Sequence, residues 1–156
     1  MADAVTSIQR DHRRLAELVD QLAQPYGDRR TLVAETAARL AAHLRAEEKV
    51  HPLLAGAPVE EYAEQYHGVP ASGEVEERLR ILRATDPDSA DFDVALRDFA
   101  MALERHTDAE ESDILLHVYD RVDPDTMRMA TVVYEECRAE ELRQYGVADA
   151  ESEQGR

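Results

Sequence analysis

Hydrophobic residues recur along the chain at intervals of three and four, the period of an amphipathic helix, in five stretches separated by turn-forming residues. The first runs from about Ala4 to Ala23 and puts Ile8, His12, Leu15, Val19 and Leu22 on one stripe. Pro25-Tyr26-Gly27-Asp28 ends it and offers Asp28 as N-cap of a second helix, which reaches about Leu54 with Val33, Ala37, Leu40, Leu44 and Val50 inward. The pattern then loosens. Pro58 opens a short helical stretch with Val59, Tyr62 and Tyr66, and Gly68 and Pro70 interrupt it. Helical period resumes from about Ser72 with Val75, Leu79 and Leu82. Beyond a turn and cap at Asp86-Pro87-Asp88-Ser89, the fourth helix is the most regular: Phe92, Leu96, Phe99 and Leu103 step by four and three, and His106 and Glu110 continue the series. Asp123-Pro124 starts a fifth helix, with proline at its first position, that holds Met127, Tyr134 and Cys137 and ends near Gly146.

Four amphipathic helices joined by short turns predict an all-α, up-down-up-down four-helix bundle with an additional C-terminal helix. Residues 1–146 read as one domain and the polar residues 147–156 as a disordered tail. With 156 residues, 44% of them hydrophobic, the chain is long enough to bury a core despite 33% charged residues. The net charge of −16 argues against nucleic acid or an anionic membrane surface as partner. A single cysteine, Cys137, excludes a disulfide framework or a CxxC redox pair within one chain. Met1-Ala2-Asp3-Ala4-Val5 has neither a basic nor an apolar leader region, and no run of about 18 apolar residues occurs. The expectation is a cytoplasmic protein, monomeric or homodimeric.

The chemistry lies in two segments, His43-x-x-x-Glu47 and His106-x-x-x-Glu110. On a helix this spacing puts an imidazole and a carboxylate on one face, one turn apart. Random placement of 6 His and 19 Glu in a chain of this length gives fewer than one such pair, so two are a modest excess. Their placement says more. In an up-down bundle the second and fourth helices run parallel, which puts His43 and His106 at the same depth. His12 faces inward from the first helix, beside Asp11. Two carboxylates buried close together repel and each loses water, and a bound metal pair removes that cost. Mixed imidazole and carboxylate ligation suits iron, manganese or zinc. A lone histidine on an apolar face is usually a satisfied core residue, and a lone glutamate at a stripe's end is usually solvated. Five ligand-type residues on three facing stripes favour the metal reading. The Glu-x-x-His spacing of ferritin-like bundles is absent.

The chain resembles the hemerythrin-like (HHE cation-binding) domain family. The residues that carry the resemblance are Asp11-His12, His43-x-x-x-Glu47-Glu48 followed by Pro52, and His106-x-x-x-Glu110-Glu111, spread over about residues 5–120. The resemblance implies a non-haem di-iron site, oxo- or hydroxo-bridged, with His12, His43 and His106 as terminal ligands and Glu47 and Glu110 as bridges. It implies a small oxidant as ligand (dioxygen, hydrogen peroxide or nitric oxide) and a role in oxygen binding or oxidative stress. Whether the site turns over a substrate or only binds one stays open.

The family's third helix supplies one or two histidines, and here the match breaks: Ser72 stands where the first is due, a residue better suited to capping the helix. Glu76, one turn on, can supply a carboxylate instead. His67, beside Gly68 and Pro70, can reach in from the irregular segment, as can Tyr62 or Tyr66. Alternatively nothing replaces the histidine, and one metal is under-coordinated or missing. That outcome favours a zinc-binding or mononuclear module of structural or sensing role, or an oxidase or oxygenase of an organic substrate with its opening at Ser72 and Gly73. His51 and His117 read as half-exposed histidines favoured by helix C-termini, with a second cation site as the alternative. Glu48 and Glu111 sit about 100° round their helices from the bridging candidates, where solvent or a histidine N–H is the expected partner. Cys137 reads as a small core residue.

Overall fold

Aspartate–threonine pairs start three of the helices. In a computed structural model describing residues 3–56 and 72–148, Asp3, Asp28 and Asp123 each accept a bond from the backbone N–H three residues on, at 2.9, 3.2 and 2.8 Å. The hydroxyls of Thr6, Thr31 and Thr126 donate back to the same carboxylates. Each aspartate thus satisfies an orphan helix donor and places negative charge at the positive end of the helix dipole. Five main helices follow: α1 (Ala4–Leu22), α2 (Arg29–Leu54), α3 (Ser72–Ala84), α4 (Ala90–Asp113) and α5 (Pro124–Gln144). A 3-10 turn at Leu115–His117 and one helical turn at Val118–Arg121 connect α4 to α5. Among the described residues there is no strand, and no helix is long and apolar enough to cross a membrane.

The helices form the expected all-α bundle. α1 packs on α2, α2 touches α3, α3 packs on α4 and α4 returns to α1, closing a four-membered ring. α5 lies across the α1–α2 face, and its contact with α2 is the most extensive helix pair in the molecule. Helix starts and ends agree with the sequence pattern to within a residue or two, except at the end of α4. α4 stops at Asp113, so His117 lies on the 3-10 turn rather than on the helix, and it is exposed. α2 runs through Pro52, and its end is set by Gly56 in the left-handed region (φ 65°), packed against the Arg121 carbonyl where a Cβ would come to 3.2 Å. The helical stretch expected after Pro58, with Tyr62, Tyr66 and His67, lies outside the described residues, as does the tail beyond Ala148. The first two residues assigned to that tail are tied down: Val147 N–H donates to the Leu142 carbonyl at 3.0 Å, and Arg39 donates to the Ala148 carbonyl at 3.4 Å.

The core is divided. One apolar cluster occupies the end of the bundle where α1 turns into α2 and α3 into α4, built from Leu15, Leu22, Leu40, Leu82, Phe92 and Phe99 with their neighbours. A second, from Ile8, Val50, Leu54, Ile114, Val118 and Ala130, lies toward the opposite end and under α5. Between them α1, α2 and α4 each present buried polar residues. His12 follows Ile8 and precedes Leu15; His43 and Glu47 lie between Leu40 and Val50; His106 and Glu110 lie between Leu103 and Ile114. The equal-depth expectation for the histidine–glutamate pairs therefore holds, and the polar layer is sealed above and below by hydrocarbon.

In urea denaturation of the metal-free chain, Phe99→Ala should cost about 3–5 kcal/mol, because a fully buried ring leaves a cavity. Asp123→Ala should cost about 1 kcal/mol through the lost cap. Equal losses for the two variants would contradict this division between core and cap.

Candidate metal centre

Six side chains make up the polar layer: His12 from α1, His43, Glu47 and His51 from α2, and His106 and Glu110 from α4. None is more than 6% exposed. One ligand atom from each of His43, Glu47, His106 and Glu110 lies within 4.8 Å of the other three. The carboxylates stand in the middle. Glu110 Oε1 is 2.6 Å from His12 Nε2 and 3.5 Å from His43 Nε2, while its Oε2 is 2.5 Å from His51 Nε2. Glu47 Oε1 is 3.2 Å from His106 Nε2, and its Oε2 is 2.9 Å from His43 Nε2 and 3.8 Å from His51 Nε2. Each carboxylate thus turns its two oxygens toward different imidazoles, the disposition a bridging ligand needs.

Several of these atoms are buried without a hydrogen-bond partner: His43 Nε2, Glu47 Oε2, and both ring nitrogens of His106. An orphaned buried polar group costs roughly 1–3 kcal/mol, and more when charged. Converging lone pairs of nitrogen and carboxylate oxygen are what a divalent or trivalent cation satisfies, so the residues present fit a metal. Without one, protons take its place. Burial opposes charge on Glu110, yet contacts from Glu47, His12, His43 and His51 hold its carboxyl well below the usual range. Burial likewise works against a charged His43, and its neighbours Tyr134, Glu47, Asp11 and Glu110 outweigh it and push the imidazole well above its ordinary value. His51 rises too, against burial, through Glu110 and Glu47.

A second set of contacts fixes the orientation of His43. Its Nδ1 lies 2.8 Å from the Tyr134 hydroxyl, which lies 2.5 Å from Asp11 Oδ2. Arg138 Nε donates to both oxygens of Asp11, at 2.8 and 3.0 Å. Burial would raise the Asp11 carboxyl, but His43, the Arg138 charge and the Tyr134 bond lower it, so it is an acceptor. Burial and Asp11 raise the Tyr134 phenol well above its usual value, so it keeps its single proton. That proton goes to Asp11, and toward His43 the phenol oxygen accepts. His43 therefore carries its hydrogen on Nδ1 and aims the Nε2 lone pair at the carboxylates, as a metal ligand requires. His12 has a comparable outer partner, Glu111 Oε1, 3.1 Å from its Nδ1.

Of the residues expected from sequence to hold the metal, His12, His43, Glu47, His106 and Glu110 come together. Glu76 does not. Pairing of Glu74 with Arg105, and of Arg78 with Asp98 at 3.9 Å, sets α3 antiparallel to α4 with its first turn level with Arg105. From there α3 climbs away from Glu110, and Glu76 is exposed. Ser72 is already the first residue of α3. His67, Tyr62 and Tyr66 lie outside the described residues. His51, expected to be half-exposed at a helix end, is instead buried to 3% and part of the cluster. The signal is in the sequence, because His51 is four residues from Glu47 and eight from His43 on one stripe, but its place in the last turn of the helix offers the C-terminal dipole as an explanation. Asp11, Tyr134 and Arg138 also went unassigned, since contacts across more than 120 residues leave no local pattern. Glu48 is exposed, and Cys137 packs against the second apolar cluster.

The family described as the hemerythrin HHE cation binding domain matches residues 3–117. No curated protein and no solved structure matches the chain.

Two outcomes follow. Zinc binding to the metal-free chain near neutral pH should release protons, because a cation in the layer displaces the protons that raised His43 and His51 hold. Affinity should then fall as pH drops through their raised values. Calorimetric titration in buffers of different ionisation enthalpy measures this, and proton-independent binding would contradict it. Tyr134→Phe should weaken metal binding about 10–100-fold with helicity intact. Unchanged affinity would show that the Tyr134 contact does not orient His43.

Proposed function

The chain belongs to the hemerythrin HHE cation-binding family, and from that premise we propose that its polar layer holds two non-haem irons bridged by Glu47 and Glu110 and handles a small oxidant. The observation that carries the reading is the arrangement of the carboxylates, each with its two oxygens facing different imidazoles in a layer closed to water. His12, His43 and His106 would hold the irons terminally. Bound iron would supply reversible oxidation and Lewis acidity toward dioxygen, peroxide or nitric oxide. The protein's share is to keep the Glu110 carboxylate ionised where bulk solvent does not reach, to aim His43 Nε2 inward through Tyr134, and to keep the apolar layers shut against that solvent. A water-poor site strengthens every charge interaction within it. It also limits what enters to small, weakly polar molecules.

One observation favours a second reading. The four atoms of His43, Glu47, His106 and Glu110 that gather within 4.8 Å also suit a single ion, such as zinc, in a structural or sensing module.

Expression in iron-replete medium followed by elemental analysis and absorption spectroscopy separates the two. The di-iron reading expects about two irons per chain and a near-ultraviolet charge-transfer band that responds to peroxide. One zinc per chain, with no colour and no spectral response, supports the second reading and contradicts the first. Glu47→Ala and Glu110→Ala should each lose bound iron, and full iron content in both would overturn the bridging assignment.

A further inference from the structure

We propose that His51 is a metal ligand of this centre, supplied by α2 in place of the imidazole that α3 lacks; the inference rests on the di-iron reading above. The sequence His43-x-x-x-Glu47-x-x-x-His51 lays imidazole, carboxylate and imidazole along two successive turns of one helix face. All three are buried, and the carboxylate lies between the two histidines. His51 Nε2 meets Glu110 Oε2 at 2.5 Å, while His12 Nε2 meets Glu110 Oε1 at 2.6 Å. The two oxygens of one carboxylate are thus each faced by a different imidazole, one from α1 and one from α2.

α3 offers no substitute among its described residues. Its first turn is level with Arg105, its first residue is Ser72, and Glu76 is exposed. With His51 the set becomes four imidazoles and two carboxylates, a balanced allotment for two ions that share both carboxylates. Without it, the three other buried imidazoles among the described residues leave one ion with a single nitrogen ligand. The helix-end role expected for His51 also fails on geometry. A histidine serving the C-terminal dipole turns toward free carbonyls and solvent, whereas this ring points back along the bundle to Glu110 and Glu47. Pro52 does not disturb the placement, since α2 continues to Leu54 and the Ala55 N–H donates to the His51 carbonyl at 2.8 Å.

The test compares His51→Ala with His67→Ala and His117→Ala in the full chain, loaded anaerobically with ferrous iron and read by elemental analysis and Mössbauer spectroscopy. His51→Ala should fall from two irons to about one per chain, or keep two with one site's parameters changed, while the other two variants match the parent. His51→Ala indistinguishable from the parent in both readouts overturns the assignment, as does loss of iron in His67→Ala instead. A parent chain that binds no metal overturns the di-iron reading and this inference together. Should His51→Ala fail to fold, nitrogen-15 histidine spectra of the parent titrated with zinc decide. A metal-induced shift of the His51 Nε2 resonance comparable to that of His43 supports the assignment, and an unmoved resonance overturns it.

Discussion

Everything in this bundle is arranged around two carboxylates buried away from bulk solvent. Glu47 and Glu110 lie between the two apolar clusters, where an unpaired charge costs several kcal/mol even after the protein relaxes. Four imidazoles surround them, and among the described residues no lysine or arginine pairs with either carboxylate. Imidazole is the one basic side chain that can answer a carboxylate in two ways, as a protonated partner or as a neutral ligand to the same cation. The layer accepts positive charge either way, and what distinguishes the states is whether protons or metal supply it. Several lone pairs left unsatisfied by protons alone tilt the balance toward metal.

The rest of the structure serves that layer. Two apolar clusters close it above and below, so the charges interact through a poorly screening medium. α5, an appendage to the four-helix ring, reaches in with Tyr134 and Arg138 to anchor Asp11 and, through the phenol, to set the tautomer of His43. A buried arginine and aspartate are an expensive pair in an apolar interior. Their placement behind His43 gives the pair a role beyond stability: through the Tyr134 hydroxyl it holds that imidazole in one orientation.

Much of this was legible in the sequence. The five helices follow from hydrophobic period and from aspartate caps, both local signals. The shared depth of the paired His-x-x-x-Glu motifs is legible because helix geometry converts spacing into a shared face, and bundle topology converts two faces into one depth. The residues that escaped did so for identifiable reasons. His51 lies on the same stripe, but it is in the last turn of its helix, where a histidine has a ready explanation in the dipole. Asp11, Tyr134 and Arg138 meet only because α5 folds back over α1, which no spacing records. Glu76 reads as a candidate from its four-residue spacing to Ser72, yet it is exposed, one place round the helix from the buried Val75. The register of α3 against α4, set by side-chain pairs such as Arg78–Asp98, carries it away from the site.

Whether a cation lies between Glu47 and Glu110 decides what the polar layer is for. Anomalous diffraction from crystals of the iron-loaded chain, recorded above and below the iron absorption edge, tests it most directly. Two iron peaks should appear between the carboxylates, ringed by His12, His43, His51 and His106. A polar layer holding only protonated histidines or ordered water, with no anomalous signal after loading, would contradict it.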